Sequence, residues 1–318
     1  MGFVDKAPSD LKILWTDRPD AAERLRALSA SKAINAAEKR DLAHFIKHGW
    51  LIWRNAVEPE LIDKFVSDIR NHHKQPGKFL TTNHRQGKSR LKISDDQPDA
   101  FESLFDLHVN LKSSRDTCLH PRIVRFLSLV FDAKPVAFQQ LLFQRSNGHQ
   151  VHQDTSVVAV EDPMLLVATW IALQDVVKGS GELAFYDRSH TIPHYLFQDG
   201  SKRMNFSSDD QLAYTQGLEQ ACVERGLAYK KFMAKKGDVF FWTADLVHRS
   251  HPRTLPEDTP RLSCVTHYHP ATTTPFWFRH NPDKHHVAAH GREADYVSLH
   301  YKLPKGRGHA VPESPMAE

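Results

Sequence analysis

His152 and Asp154 lie two residues apart in the stretch GHQVHQDTSVV, and His248 closes an apolar run far downstream, in GDVFFWTADLVHRSHPR. On an extended strand, residues i and i+2 project from one face, so such a strand can offer an imidazole and a carboxylate to the same metal ion. His248, from a distant strand, would complete a set of two neutral nitrogens and one hard oxygen. That set favours Fe(II) and leaves coordination positions open, as an oxygen-activating site requires. The triplet alone is a weak signal. With 21 His and 25 Asp in 318 residues, about 1.7 His-x-Asp triplets arise by chance, and one is present. Its weight comes from its company.

Arg261 opens the apolar run RLSCVTHYHP, with Ser263 two residues on and therefore on the same strand face. A guanidinium beside a hydroxyl forms a fork for a carboxylate, which a lysine lacking the planar pair of donors matches less well. An arginine aimed into a barrel is costly without an anion to pair with, and a dicarboxylate co-substrate would supply one.

The elements that must position these residues change character along the chain. NAAEKRDLAHFIKHGW carries a cap-like Asn35 and Glu38, then Leu42, Phe45 and Ile46 on one helical face, and stops at Gly49. The strand WLIWRNAV follows. EPELIDKFVSDIRNHH and HPRIVRFLSLVF read as further amphipathic helices, and the basic stretch between them has no clear period. After Lys134 the texture is strands: PVAFQQLLFQR, TSVVAV, MLLVATWIALQDV, GELAFY, the run ending at His248, and RLSCVTHYHP. Helices first and antiparallel strands afterwards predict a mainly β jelly roll, cupin-like, with helices packed outside it. We read a single domain over 1–318: an N-terminal arm (1–34), a helical flank (35–134) with a mobile loop at 76–96, a jelly-roll core (135–272) interrupted by an insertion at 187–235, and a C-terminal extension (273–318). The insertion contains the helical DDQLAYTQGLEQACVERG.

In order and context these stretches resemble the phytanoyl-CoA dioxygenase family of Fe(II)- and 2-oxoglutarate-dependent oxygenases. The resemblance spans roughly residues 35–272. It rests on FIKHGWLIWRNAVEPELID, HQD, VATWIALQDVVKGSGELAFYDRSH, GDVFFWTADLVHRS and PRLSCVTHY. It implies a double-stranded β-helix, iron held by His152, Asp154 and His248, and 2-oxoglutarate anchored by Arg261, with dioxygen as second co-substrate. It also implies that Ser250 and Trp170 lie near the co-substrate, and that a glutamine of the strand before HQD contributes, for which we take Gln140 rather than Gln139. Hydroxylation is the implied outcome, because halogenating relatives lack the carboxylate that Asp154 supplies. One departure is visible: the family's PGSH is DRSH here, Asp187 to His190, in a loop near the substrate mouth of relatives.

The bulk properties agree with a soluble enzyme. A net charge of +4 is thin for a nucleic-acid binder. No apolar run spans a bilayer, the N-terminus lacks a signal-peptide core, and Cys118, Cys222 and Cys264 are too far apart for a zinc or redox pair. A cytoplasmic protein acting on a small-molecule or conjugated substrate is expected, with no nucleic acid or membrane partner. Lys78, His84, Arg85, Lys88, Arg90 and Lys92, together with Arg188, Lys202 and Arg203, suggest a polar or anionic substrate. Other readings compete. The chain could be a non-catalytic jelly-roll binding protein, or a zinc hydrolase, for which no general base stands beside the triad. His149 is three before His152 and reads as a loop residue. His267 and His269 share parity with Arg261 and could line the cavity, though hydrogen-bonded structural roles suit them better. His285, His286 and His290 lack a partner ligand in register.

Overall fold

The structure is a computed structural model that describes residues 2–5, 11–73, 80–83, 88–92, 103–145, 148, 150–158, 160–204, 208–256 and 259–303. Its centre is a large sheet in which strands 50–53, 239–243, 167–172, 263–270, 135–143, 103–105, 80–83 and 88–92 are neighbours in that order. A smaller sheet, ordered 229–232, 183–186, 248–250, lies opposite. Residue His152 extends it through a bridge to His248, with each backbone N–H donating to the other's carbonyl at 3.1 and 3.0 Å. The fold is the expected double-stranded β-helix.

Strand 167–172 shows why the sequence folds this way. All six residues are buried. Val167 and Ile171 face the helical layer, while Ala168, Trp170 and Ala172 face the smaller sheet. Strand 239–243 repeats the split, with Val239 and Phe241 outward and Phe240 and Trp242 inward. A strand buried on both faces reads as a continuous apolar run, as these two do.

The helical layer is built as the periodicity predicts. The helix Ala36–His48 carries the Asn35/Glu38 capping box, and Gly49 ends it at φ 75°. A side chain at Gly49 would also strike the His190 ring. The helix Pro121–Phe131 buries Ile123, Val124, Phe126, Leu127, Val130 and Phe131. Each is worth roughly 1.5–3 kcal/mol of transfer free energy. Its Phe126 meets Phe45, Trp53 and Phe241 edge-on, locking helix to sheet.

One expectation needs correction, and three further segments gain detail. TSVVAV is not a strand: Asp154 opens a single helical turn, Asp154–Val157. Within 76–96, strands Leu80–Asn83 and Lys88–Lys92 pair antiparallel at the edge of the large sheet. Beyond 273, strand Ala294–Tyr296 adds in parallel to strand 135–143 and buries Tyr296 and Val297, so this part of the extension belongs to the core. The insertion is also anchored, by strand His194–Leu196, which pairs with Gly2–Val4, and by Met204, whose N–H donates to Ser156.

Candidate active site

The open end of the barrel encloses a cavity of about 600 Å³. His152, Asp154 and His248 meet on its wall, with their ligand atoms within 4.8 Å of one another. Among the described residues no other group of His, Cys, Asp or Glu is arranged to hold a metal ion. Backbone carbonyls set the tautomers of both imidazoles. His152 Nδ1 donates to Gln150 at 2.7 Å, and His248 Nδ1 donates to Leu246 at 2.9 Å. Each Nε2 therefore carries the lone pair, and each faces Asp154 Oδ1, at 3.7 and 3.6 Å. The second carboxylate oxygen is held from behind: Trp242 Nε1 donates to Oδ2 at 2.8 Å, and His267 Nε2 lies 3.6 Å from it. This is the outer shell that fixes a ligand's orientation in a metal site.

The protonation states suit metal binding. Burial alone would raise the Asp154 pKa, but His248, His267 and His152 around it hold the carboxyl well below the usual carboxylate range. Burial pushes His248 down to about 4, helped by the adjacent His152, so it is neutral at neutral pH. Two imidazoles with Nε2 turned toward an ionised carboxylate are the donor set of a non-haem Fe(II) centre.

Arg261, 3% exposed, lines the same cavity. Its Nη1 donates to the Gly181 carbonyl at 2.8 Å, and its guanidinium lies over the Trp170 ring, 5.7 Å from the centroid. Burial lowers its pKa to about 10, which leaves it charged. Its Nε has no hydrogen-bond partner among the described residues, and neither does Ser263 Oγ two residues along the strand. Both are buried. An incoming carboxylate would answer the cost of burying the Arg261 Nε unpaired, whereas Ser263 is not among the residues that line the cavity. Ser250 and Trp170 line the cavity as well.

Gln140 is a correction. Its side-chain carbonyl accepts from the His108 N–H at 2.9 Å and the Ser114 hydroxyl at 2.7 Å, and its Nε2 donates to Thr266 at 3.4 Å. Gln139 lines the cavity instead. Register explains the difference: Gln139 pairs with His267, which faces the cavity, and Gln140 pairs with Thr266, which does not. His267 lines the cavity with its Nδ1 unpartnered among the described residues. His269, by contrast, donates from Nδ1 to the Pro270 carbonyl. Strand parity with Arg261 was the signal for His267, and it was outweighed by the frequency of structural histidines.

Of the cations expected to meet an anionic substrate, the three with described side chains, Lys202, Arg203 and Arg188, do not line the cavity. Lys202 is buried in an ion pair with Asp245. Arg203 packs on the Phe276 ring at 4.0 Å, and Arg188 is exposed on a turn at φ 65°. Lys78, His84, Arg85 and His149 lie outside the described residues, and Lys88, Arg90 and Lys92 are described by backbone alone. His285, His286 and His290 join no metal-holding group; His285 Nε2 donates to the Phe278 carbonyl. The DRSH segment has a structural role. Asp187 Oδ1 accepts from His48 Nδ1 and Trp50 Nε1, both at 2.8 Å, and Oδ2 from Lys230 at 2.9 Å. Burial would raise its pKa, but Lys230, Trp50 and His48 hold it down at about 2. Asp187 thus staples helix 36–48 to the smaller sheet and does not line the cavity.

A jelly roll that presents two imidazoles and one carboxylate on a cavity wall, opposite a buried arginine, defines the architecture of a mononuclear non-haem iron oxygenase. Residues 45–256 match the phytanoyl-CoA dioxygenase (PhyH) family, and the chain belongs to that family of Fe(II)- and 2-oxoglutarate-dependent oxygenases. No curated protein matches it by sequence. Solved structures resemble it in fold. The epimerase SnoN, crystallised with Fe3+, alpha ketoglutarate and nogalamycin RO, superposes at TM-score 0.55 with 17% identity over 76% of this chain and 86% of that one. EctD from S. alaskensis with bound Fe gives 0.56 and 13% over 75% and 78%. The alpha ketoglutarate dependent carbocyclase SnoK from nogalamycin biosynthesis gives 0.54 and 15% over 80% and 92%. Among the described residues no helix is long and apolar enough to cross a membrane.

Proposed function

We propose that the protein hydroxylates a polar small molecule or conjugate in the cytoplasm, with iron held by His152, Asp154 and His248 and 2-oxoglutarate anchored by Arg261. The observation that carries this reading is the pairing of two unlike ends in one cavity. At one end, both Nε2 atoms flank Asp154 Oδ1; at the other, a buried guanidinium has an unpartnered Nε. Iron, 2-oxoglutarate and dioxygen together supply the oxidising power. The chain's own residues do the rest. Arg261, with Ser263 behind it, would take the far carboxylate of the co-substrate and so fix which end faces the triad. Trp170 would supply the shelf under that salt bridge, and Ser250, two residues after His248 on the same strand, offers a hydroxyl to the same cavity. Trp242 and His267 keep Asp154 from rotating, so that one oxygen stays toward the histidines.

The rest of the cavity suits a polar substrate with apolar parts. Gln139, Gln150, Gln211 and Arg249 stand among Phe105, Leu141, Phe143 and Met204. All three cysteines are buried and unpaired, as a reducing compartment would keep them. The test is spectroscopic first and chemical second. Fe(II) and 2-oxoglutarate added without oxygen should give a visible charge-transfer band, and oxygen should then yield succinate. A band without succinate across candidate substrates would favour a binding protein; no band, with His248→Ala unchanged, would sink the iron reading. An epimerase and a carbocyclase share the fold, so product analysis should include isomers and ring closures as well as added oxygen.

A further inference from the structure

Lys202 belongs to the insertion, yet its side chain is 1% exposed and its Nζ donates to Asp245 Oδ2 in the turn that leads into His248. Asp245 is itself a hub. Its Oδ1 accepts from Thr155 Oγ1 at 2.8 Å, its backbone carbonyl accepts from Gln153 Nε2 at 2.7 Å, and His194 Nδ1 lies 3.3 Å from Oδ2. Gln153 and Thr155 are the two neighbours of Asp154 in the chain. Leu246, next to Asp245, supplies the carbonyl that orients His248. One buried residue therefore ties together the segments around two of the three proposed iron ligands, its carboxylate holding Thr155 and its backbone carbonyl holding Gln153, and the insertion supplies the counter-charge to the carboxylate.

The same insertion covers the cavity. Met204, two residues from Lys202, and Gln211, Tyr214 and Thr215 of the helix Ser208–Glu224 all line it. Tyr214 also accepts the Gln153 N–H, at 3.3 Å. A charge buried at this depth needs its partner, and removing one member leaves the other uncompensated.

We propose that Lys202 is a positioning residue that couples the insertion to the metal centre, so that metal affinity depends on the insertion being docked and metal binding in turn orders it. This rests on the assignment of His152, Asp154 and His248 as ligands. Coupling of this kind is reciprocal by linkage, which gives it two independent readouts.

Co(II) serves as the probe, its affinity read from the ligand-field spectrum, with hydrogen exchange of the helix Ser208–Glu224 followed in parallel. Lys202→Met should weaken Co(II) binding by about tenfold, the low end for a partner bonded to a ligand itself, because Lys202 acts through Asp245. Lys202→Arg should largely restore it. Because Lys202→Met also strands a buried carboxylate, the deciding variant is Lys202→Met/Asp245→Asn, which removes both charges and keeps an acceptor for Thr155. That variant should regain the thermal stability of the unaltered metal-free protein but keep Co(II) affinity at least about fivefold weak. In the unaltered protein Co(II) should slow exchange in the helix; in the double variant, saturated with Co(II), it should not. Full recovery of affinity in the double variant, or exchange indifferent to Co(II) in the unaltered protein, would overturn the coupling while leaving the triad intact. Failure of Co(II) to bind the unaltered protein would overturn both.

Discussion

The two ends of the cavity are built on opposite principles. At the triad the protein completes its own hydrogen bonding: each histidine Nδ1 has a carbonyl, and Asp154 Oδ2 has Trp242 behind it. At Arg261 it does not, since the guanidinium Nε and the neighbouring Ser263 hydroxyl are buried without partners among the described residues. The first end is shaped before anything binds, whereas the second carries an electrostatic debt that only an anion clears. A metal site needs fixed geometry, because ligand direction decides affinity. An anion site gains from unpaired donors, because the ligand then supplies what the folded protein lacks.

The largest effect should come from breaking the pre-built end. Asp154→Ala removes the oxygen that both Nε2 atoms face. Co(II) or Fe(II) affinity should fall by more than the ~100-fold that the loss of an outer partner can cost, and succinate formation should vanish. Isothermal titration with Co(II) checks the first and coupled product assay the second; retention of affinity within tenfold would mean the triad is not the metal site.

Arg261→Met tests the other end, and it should act with opposite signs on stability and function. The KM for 2-oxoglutarate should rise about 10–150-fold, corresponding to the ~1.5–3 kcal/mol of hydrogen bonds to a charged group. Metal affinity should stay unchanged. The unliganded protein should be no less stable, and by thermal melting somewhat more so, because a buried and incompletely paired cation has been replaced by an apolar side chain. A large loss of stability would show instead that the donor bond to Gly181 dominates.

Much of this contrast was legible in the sequence, and what was not has a physical cause. His152, Asp154, His248 and Arg261 could be found because metal and carboxylate chemistry restrict residue type and strand parity restricts spacing. The choice of Gln140 over Gln139 missed which of the two lines the cavity, because adjacent strand residues point to opposite faces and the facing depends on register against strand 263–270, which local sequence does not carry. Lys202 reads in the sequence as a cation for an anionic substrate. Its burial follows from Asp245, more than forty residues away in sequence, and a lysine's partner cannot be read from its own neighbourhood. The Asp154 turn was misread as a strand because Thr155, Val157 and Val158 are β-branched, yet the Val158 N–H closes on the Asp154 carbonyl at 2.7 Å. The helices fared better, since capping boxes and apolar spacing are local signals.

Trp242→Phe should trim the pre-built end without dismantling it. The substitution keeps most of the ring packing against Phe240 and His248 and removes the 2.8 Å bond to Asp154 Oδ2. Metal affinity should drop about tenfold, at the low end for an outer partner, while the KM for 2-oxoglutarate moves little. An equal change in both would mean that the two ends are not separable.

The smallest effect concerns stability against pH, and it sits away from both ends. His108 and His269 are buried and pushed down to about 4, chiefly by burial, from an ordinary value near 6.5. In the unfolded chain they take up protons at about pH 6.5, whereas in the folded protein they resist until about pH 4. Between those values the unfolded state binds more protons, so stability rises with pH and falls as pH drops from 6.5 toward 4. Above pH 6.5 they contribute no slope. His108 Nε2 donates to the Val297 carbonyl at 3.0 Å, a bond that the neutral ring makes with the C-terminal extension. Replacing it with Gln should lower stability modestly at pH 7 and flatten the acid limb by up to one proton's worth of slope, measured by urea unfolding of the metal-free protein at pH 7, 6 and 5. An unchanged slope would mean that His108 is already protonated in the folded state, and that the acid sensitivity arises elsewhere in the core.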